Sequence, residues 1–430
     1  MQQSQRVICN HALEFAVQAA NKSRQPLLVL FVLTDSYPQA NWRHYAFMLE
    51  GLLEVEKALS DRRIGFRIAV GDPAQVALNA AEEASTLICD RGYMRHQRQW
   101  RRQVALNAPC PVIEVESDVL VPVEVASNKA EYAARTIRPK IQRQLPHYLE
   151  PLGVLPLRKS DMDLSEPMDS EKLISGLSID RRIKPVSRLI RGGYSQARSR
   201  LDAFLENHLQ SYDHQRNRPE KRGTSLMSPY LHFGQIAALE IALAVQKCDA
   251  PNDAKAVFLE ELIVRRELAV NYVFYCPDYD SYNGLPDWAR RTLAEHRQDP
   301  REPSYTVSQL DSAGTADPYW NAAMLEMKHT GYLHPYMRMY WGKKILQWCP
   351  DPADAYQVTV SLNNKYLLDG RDPNSYAGVG WVFGLHDQPW KERKISGKTR
   401  YMARKGLERK FDMQAYIASV QRRVGKNFDL

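Results

Sequence analysis

The chain has 430 residues, 44% of them hydrophobic and 25% charged, and its formal net charge of +8 permits a polyanionic partner. This length exceeds the usual size of one hydrophobic core, so we expect a globular protein of two domains. No run approaches the roughly 20 apolar residues of a membrane helix and the N-terminus lacks a signal-peptide core, so we expect a cytoplasmic protein. The six cysteines form no CxxC pair, so we expect no metal site.

Residues 1–125 are predicted to form an α/β domain. Apolar strands alternate with amphipathic helices, a pattern typical of a parallel sheet covered on both faces. No GxGxxG or Walker-type loop occurs, so nucleotide binding by those routes is not supported. Such a domain normally opens with a strand, but this chain opens at the loop before its first helix, so we expect the first strand to be missing. The predicted strands are Leu27–Leu33, Phe66–Val70, Thr86–Cys89 and Val112–Val115, and the predicted helices are His11–Lys22, Arg43–Ser60, Pro73–Ala84 and Arg95–Asn107.

The remainder of the chain is predicted to be an inter-domain linker, residues 126–184, followed by an all-α domain, residues 185–430. From Leu152 to Lys184 the sequence loses periodicity and is rich in proline, serine and acidic residues. Beyond it, helical patterns recur without an internal repeat. The predicted helices are Tyr194–Leu209, Phe233–Gln246, Asp253–Tyr272, Trp288–His296, Pro318–Thr330 and Arg338–Trp348.

Three tryptophans stand out in this second domain. Trp341 and Trp348 are seven residues apart, which places them on one helix face about 10 Å apart along the axis. Trp320 lies on the preceding predicted helix. Aromatic residues at helical spacing usually pack in a core, but neighbouring indoles can also relay electrons to a redox cofactor. The spacing alone does not choose between the two.

Charged residues suggest two further sites. Arg338 lies in an apolar and aromatic segment, so if buried it needs a carboxylate partner, for which Asp369 and Asp372 of the DGRDP segment are candidates. Glu261 and Arg265 are spaced to pair on one helix face. That pair is either a surface ion pair or a carboxylic acid placed in a pocket.

Hydroxyl groups and basic residues indicate contacts with phosphates. Ser228, followed by Pro229, is predicted to cap a helix, and the hydroxyls of Thr224 and Ser225 beside it also suit a phosphate group. The run from Lys391 to Lys410 is almost entirely basic and is interleaved with aromatic residues. An ordinary solvated surface usually mixes both signs of charge, so this run favours contact with nucleic-acid phosphates.

Taken together, these segments resemble the photolyase/cryptochrome superfamily, and within it the class II cyclobutane pyrimidine dimer photolyases. The resemblance covers nearly the whole chain. It is carried by Gln3, Arg6 and Asn10–Leu13, and by SPYLHFGQ, EELIVRREL, DPYWNAAMLEM, YMRMYWGKKILQW, LNNKYLLDGRDPNSYAG and HDQPWKERKISGKTRYM. It implies a Rossmann-like antenna domain and a helical domain that holds FAD. The implied activity is repair of a dimer flipped out of DNA, in which light-excited FADH⁻ lends an electron that splits the cyclobutane ring.

The resemblance also implies roles for individual residues. Around the FAD phosphates and ribitol it implies Tyr212, Thr224, Ser225, Leu226, Met227 and Ser228. Beside the isoalloxazine it implies a salt bridge between Arg338 and Asp369, with Asp372 nearby. It also implies that Asn363 faces flavin N5 and that Arg265 contacts the cofactor. Trp341, Trp320 and Trp348 match a photoreduction relay, so the relay is now favoured over simple packing. On the DNA side, Glu261 is implied to hydrogen-bond the dimer, Arg216, Tyr305, Met339, Trp381 and Trp390 to surround it, and Lys391, Arg393, Lys398 and Arg400 to hold the strand.

Several alternatives stay open at this point. A non-repairing blue-light receptor of the cryptochrome kind usually carries a C-terminal extension, and a (6-4) photolyase calls for a histidine in its pocket. His232, His334 and His386 lie near the matching segments but have structural interpretations as well. An antenna chromophore of the deazaflavin or folate type is possible for the family, and the residues do not select one. The expected partner is damaged DNA, bound by a monomer at the nucleoid.

Overall fold

The computed structural model describes residues 1–221 and 223–425, and the chain divides into two compact units. Unit 1 comprises residues 1–128, 140–203 and 226–249, and unit 2 comprises residues 129–139, 204–225 and the chain from Ala250 on. The chain therefore passes between the units several times, rather than through one domain, a linker and a second domain in order. That residues 1–125 act as an antenna domain stays a prediction.

Unit 1 holds four short strands. They are β1 Leu28–Leu33, β2 Gly65–Val70, β3 Leu87–Asp90 and β4 Val112–Val115. Strands β1 and β2 pair in parallel with Leu28 opposite Gly65, and β3 and β4 pair in parallel with Leu87 opposite Val112. The predicted positions and parallel pairing are confirmed to within a residue or so.

The expected single sheet is wrong, because among the described residues the strands form two separate two-stranded sheets. Residues Met1–Ser4 run between them. The Met1 ammonium donates to the Leu30 carbonyl at 2.9 Å, and the backbone N–H groups of Gln2, Gln3 and Ser4 donate to the Asp90 carboxylate at 2.5, 2.6 and 2.5 Å. A carboxylate thus satisfies donors that a strand ladder would otherwise satisfy.

The rest of the described chain is mostly helical. The first helices are α1 His11–Ser23, α2 Trp42–Asp61, α3 Pro73–Ala81, α4 Arg95–Asn107, α5 Val123–Ala126, α6 Ala134–Tyr148 and α7 Ser170–Gly176. They continue with α8 Tyr194–Asn207, α9 Tyr212–Gln215, α10 Ser228–His232, α11 Ala238–Lys247, α12 Asn252–Leu259, α13 Arg266–Tyr275, α14 Asp287–Glu295, α15 Val307–Asp311, α16 Pro318–Thr330, α17 Pro335–Trp348, α18 Pro352–Tyr366, α19 Pro373–Val382, α20 Arg404–Lys410 and α21 Met413–Val424. Short 3₁₀ turns occur at Met162–Leu164, Leu209–Ser211 and Tyr282–Gly284.

Two predicted helices differ in the structure. The helix expected over Phe233–Gln246 begins only at Ala238, as α11, and the short helix α10 ends before the predicted range, at His232; Gly234 adopts a left-handed φ of 64° between the two helices. A Cβ atom at Gly234 would lie 2.0 Å from the Gln3 carbonyl oxygen, so the close approach of that backbone requires glycine. The helix expected over Asp253–Tyr272 contains a π-helical stretch, Glu260–Arg265, between α12 and α13. The predicted linker likewise contains α6 and α7.

The core of unit 2 lies where α16 and α17 pack together. Asp317 caps α16 by accepting from the N–H groups of Tyr319 and Trp320, Pro318 fixes its first turn, and Gly331 ends it in the left-handed conformation. The fully buried side chains of these two helices include Trp320, Tyr340 and Trp341, and Tyr356 on α18 and Phe383 after α19 are fully buried as well. No helix in the described ranges is long and apolar enough to cross a membrane. In the same ranges, no cluster of three or more histidine, cysteine or acidic side chains could hold a metal ion.

Candidate active site

The three tryptophans form one continuous stack in unit 2. The rings of Trp320 and Trp341 lie nearly parallel, at 12°, with centroids 6.4 Å apart, and Trp348 meets Trp320 edge-on at 5.4 Å. The indole nitrogen of Trp320 donates to the Trp341 carbonyl at 2.9 Å, which fixes the orientation of the central ring. The three side chains are 0%, 1% and 6% exposed. The arrangement fills the core, and it also provides ring-to-ring contact across two helices.

The stack continues outward to Tyr305. Its ring meets Trp348 at a right angle with centroids 4.9 Å apart, and its hydroxyl accepts from the Ala316 N–H at 2.9 Å. Tyr305 is thus in contact with Trp348, and its expected place beside the lesion stays a prediction. The Lys344 ammonium lies 5.9 Å from the Trp348 ring centroid and 5.4 Å from that of Tyr340.

An ion pair lies beside the first turns of α17. The Arg338 guanidinium donates to both oxygens of Asp369 at 2.9 and 3.0 Å, and the two side chains are 21% and 11% exposed. Of the two candidate partners, Asp369 is therefore the one that pairs. Asp372 caps α19 instead, by accepting from the Asn374 N–H. A largely buried pair of this kind adds little net stability, but it holds the guanidinium in one position.

Asn363 is linked to the same pair. Its amide nitrogen donates to the Ser375 hydroxyl at 3.2 Å, and that hydroxyl donates to the Asp369 carbonyl at 2.7 Å. A second bond, to the Asn364 side-chain oxygen at 3.0 Å, uses the other amide proton. Both amide protons are thus engaged, and the orientation of the amide group follows from this network.

The buried polar atoms without a hydrogen-bond partner among the described residues include Arg338 Nε, Trp341 Nε1 and Asn363 Oδ1. Buried polar groups are usually satisfied, so these two donors and one acceptor can be tested for their fit to a ligand. The isoalloxazine of FAD carries both acceptors and donors of the required kind. In particular, its N5 position bears a proton when the flavin is reduced, which suits the acceptor of Asn363. The residues therefore fit the cofactor.

The predicted phosphate-binding segment falls at a junction in the chain. Thr224 and Ser225 belong to unit 2, and the Thr224 hydroxyl lies 2.8 Å from that of Tyr332. Tyr332 was not predicted, and burial raises its pKa above the ordinary value for tyrosine. Leu226, Met227 and Ser228 belong to unit 1, where Leu226 takes a left-handed φ of 56°.

Ser228 is not the cap of α10, contrary to the prediction. It is the first residue of the helix, and Met227 occupies the capping position without a side-chain hydrogen bond. Capping needs the side-chain oxygen to sit one residue before the helix, which the chain does not provide here. The serine hydroxyl is thus left to other uses, among them a phosphate contact.

The π-helical stretch organises the acidic residues. Arg216 pairs with Glu261 at 2.6 Å, and Arg265 pairs with Glu260 at 3.3 Å. The expected Glu261–Arg265 pair is wrong, because π-helical winding brings residues five apart, rather than four, onto one face. Glu260 is further held by Arg138 through bonds of 3.0 and 2.8 Å. Glu261 is therefore the carboxylate that faces Arg216.

Tyr212 completes this acidic corner. Its hydroxyl interacts with Arg216, and burial, followed by the charge of Glu261, raises its pKa to about 12. Three residues predicted from different segments, Tyr212, Arg216 and Glu261, are thus brought together, whereas Arg265 belongs to the Glu260 pair. Met339 is half-buried on α17 next to Arg338.

A second cluster surrounds Arg400. Its guanidinium carbon lies 5.0 Å from the Trp381 ring centroid and 4.3 Å from that of Trp390, and its Nε donates to Asp387 at 3.3 Å. The Trp390 indole nitrogen also approaches both Asp387 oxygens, at 3.3 and 3.2 Å. Trp390 is 43% exposed and Trp381 half-buried. Asp387 was not predicted as a site residue, although it lies in the HDQPW segment that carries the family resemblance.

The basic run predicted from the sequence divides into two parts, the loop Trp390–Arg400 and helix α20. In the loop, Lys391, Arg393 and Lys398 are exposed. Its shape is fixed by the N–H of Trp390, which donates to Lys398 O at 2.8 Å, and by a bridge between Arg393 and Gly397. Lys398 lies 4.0 Å from Glu392, a distance that leaves its charge largely available.

His296 fastens this loop to the end of α14. Its two ring nitrogens lie 2.6 Å from Asp299 and 3.0 Å from Glu392. These hydrogen bonds, first that with Glu392 and then that with Asp299, raise the pKa of His296 above the ordinary value for histidine. The loop is thus held in place on a surface that carries an excess of positive charge.

Known proteins are similar to this chain over nearly its whole length. The family model described as DNA photolyase matches residues 1–157. A deoxyribodipyrimidine photo-lyase from Methanothermobacter thermautotrophicus is 46% identical over 98% of this chain and 93% of its own length, and one from Oryza sativa is 41% identical over 99% and 88%. Among solved structures, a class III photolyase from Agrobacterium tumefaciens superposes with a TM-score of 0.74 at 18% identity, covering 98% of this chain and 85% of its own.

Proposed function

The chain belongs to the DNA photolyase family, and we infer that it is a light-driven lyase that splits cyclobutane pyrimidine dimers in DNA. The observation that carries this function is the identity of 46% with a deoxyribodipyrimidine photo-lyase over nearly the full length of both chains. Reduced FAD would supply the electron that light transfers to the dimer and that returns after the ring has opened. The residues of the chain provide binding, orientation and charge.

On the cofactor side, the linked network of Arg338, Asp369, Ser375 and Asn363 sets the electrostatics. Asp369 balances the Arg338 charge and fixes the direction in which its free Nε points. Asn363 presents an acceptor that no other described residue uses. An acceptor at that place favours a cofactor that offers an N–H, and so favours the reduced form. Thr224, Ser225 and the segment that follows them are proposed to hold the phosphates.

The tryptophan stack is proposed to restore that reduced form. Trp341 presents an indole nitrogen without a partner, and Trp320 and Trp348 continue the ring contacts away from it. A hole that forms at Trp341 can pass outward along these contacts. Repair itself does not consume electrons, so the stack acts before the catalytic cycle rather than in it.

On the DNA side, two groups of residues are proposed to hold the flipped-out dimer. The aromatic faces of Trp381 and Trp390 offer stacking surface for the pyrimidine rings. Glu261, held by Arg216, offers a carboxyl group for a hydrogen bond to a base. The exposed cations Lys391, Arg393 and Lys398 then contact the phosphates, which positions the strand without selecting a sequence.

Finer assignments follow from the same residues. We propose the class II subgroup, because the relay and the asparagine occupy the positions that the resemblance to that class implies. An antenna chromophore in residues 1–125, a monomeric state and action on DNA in the cytoplasm are likewise proposed.

The lesion class can be tested by offering the reduced protein two substrates, one duplex with a cyclobutane thymine dimer and one with a (6-4) product. We expect illumination to restore intact thymines only in the first. Restoration of the (6-4) product instead would overturn the proposal. Binding without restoration of either would favour the light-receptor alternative.

A further inference from the structure

Lys343 is a buried cation that the proposed function does not use. Its side chain, on α17, is 2% exposed, and within the described part of the chain its Nζ donates one hydrogen bond, to the Thr399 hydroxyl at 3.4 Å. A buried ammonium group without a carboxylate partner is costly, so a lysine at such a position needs a reason. Thr399 directly precedes Arg400, which places Lys343 beneath the cluster formed by Arg400 and Asp387.

The charges that act on Lys343 come from this cluster. Asp387 favours its protonated form and Arg400 opposes it, while burial is the largest influence and lowers its pKa to about 7. The neighbouring helices α16, α18 and α19 pack against α17, and α19 carries no charged residue. The charged groups of the other two helices interact with other residues. Glu326 pairs with Arg423, Lys365 pairs with Asp311, and Lys328 donates to the Asp311 carbonyl. The charge of Asp354 adds to the effect of burial in raising the pKa of Cys349. Besides burial, the charges that act on the protonation of Lys343 are therefore those of Asp387 and Arg400.

The present arrangement of Arg400 conflicts with the strand-holding role that the resemblance implies for it. Its guanidinium carbon lies 5.0 and 4.3 Å from the ring centroids of Trp381 and Trp390, on which the dimer is proposed to stack, and its Nε is bonded to Asp387. For the dimer to stack on these ring faces, Arg400 must leave this place. Its departure leaves Asp387, whose side chain is 9% exposed, without a cationic partner.

We propose that Lys343 is a positioning residue for lesion binding, which takes up a proton from solvent when Arg400 turns to the DNA and so replaces the charge lost beside Asp387. The sign follows from the electrostatics. Removal of the Arg400 charge removes the influence that opposes protonation, while that of Asp387 remains. The site thus exchanges one cation for another, and the loop that carries Trp390 keeps its anchor at Asp387 while Arg400 is away. The proposal rests on the proposed function, because it requires binding of a dimer.

The direct test is a proton count. The FAD-loaded protein is titrated in the dark with a duplex that contains one cyclobutane thymine dimer, by calorimetry at about pH 8, in buffers that differ in ionisation enthalpy. A group with a pKa near 7 is mostly neutral at that pH, so we expect uptake of about one proton per complex. At about pH 6 the group is already protonated and the uptake falls towards zero. By linkage, dimer affinity should weaken as pH rises above 7, with a slope approaching one.

Variants separate Lys343 from other sources of protons. Lys343→Met should abolish the uptake at pH 8, whereas Lys344→Met, the neighbouring half-buried lysine on the same helix, should retain it. Arg400→Met should also abolish it, because Lys343 is then protonated before DNA binds. If Lys343→Met does not fold, the pH dependence of dimer affinity in the wild type and the proton uptake of Arg400→Met still test the proposal. Dimer-specific binding without proton uptake, or with uptake retained in Lys343→Met, would overturn the proposal. Absence of any dimer-specific binding would instead refute the proposed function.

Discussion

Replacement of Glu261 by alanine separates a role in lesion binding from a role in stability. The Arg216–Glu261 pair is 2.6 Å long, but its side chains are 28% and 39% exposed, so solvent screens it. Ion pairs of this exposure contribute below about 1 kcal/mol to stability. We therefore expect Glu261→Ala to fold normally and to keep its flavin. A lost hydrogen bond to the dimer costs about 1.4 kcal/mol, which corresponds to about a tenfold loss of affinity.

The chain provides a matched control one residue away. Glu260 lies in the same π-helical stretch but pairs with Arg138 and Arg265, away from Arg216. Glu260→Ala should reduce the melting temperature at least as much as Glu261→Ala, yet leave dimer affinity and repair per absorbed photon unchanged. The assay is a dark binding titration followed by absorbance recovery under light. Equal loss of repair in both variants, or release of the flavin by Glu261→Ala, would refute the reasoning.

Four further predictions concern the relay, the DNA surface and the loop that His296 holds. Trp320→Phe should block light-driven reduction of oxidised flavin but spare repair after chemical reduction, as followed by flavin absorbance; loss of both would place Trp320 in the repair step. Trp381→Ala should weaken dimer binding by about 1 to 3 kcal/mol with no change in salt dependence. Lys391→Gln with Arg393→Gln should lower the slope of log affinity against log salt by about 1.8, and an unchanged slope would remove these residues from the interface. The pKa of His296 is higher in the folded protein than in the unfolded chain. His296 therefore stabilises the loop fully at a pH below its pKa in the unfolded chain, and this stabilisation is lost as the pH rises through its pKa in the folded protein. Trypsin cleavage of the loop, normalised to a peptide standard, should therefore increase over that range in the wild type and show no such increase in His296→Gln.

Local patterns in the sequence predicted the regular elements well. The bounds of α4, α16 and β4 agree with their predictions, because capping residues and continuous apolar runs act over a few neighbouring residues. Interruptions were missed where a distant segment imposes them. The helix expected from Phe233 begins only at Ala238, after Gly234, to which the backbone of Gln3 comes close, and no periodicity near Gly234 reveals that approach.

The residues of the candidate site likewise fall into those that the local sequence predicts and those that depend on distant contacts. The Arg338 partner was narrowed to two aspartates, since burial of the arginine in an aromatic segment required a carboxylate. Asp387 and Lys343 were missed, because their importance depends on Arg400 and Thr399, which lie far along the chain from Lys343. Tyr305 was assigned from resemblance alone, and its contact with Trp348 depends on the packing of a loop against α17.

The most direct test of the central claim is a count of dimers split per flash. The chemically reduced, FAD-loaded protein is bound to a duplex with one cyclobutane thymine dimer, exposed to single flashes of blue light, and compared with a sample kept in the dark. We expect that intact thymines appear with each flash, that none appear in the dark, and that the flavin is still reduced at the end. Bound dimers that survive illumination, or dimers that are split equally in the dark, would contradict it.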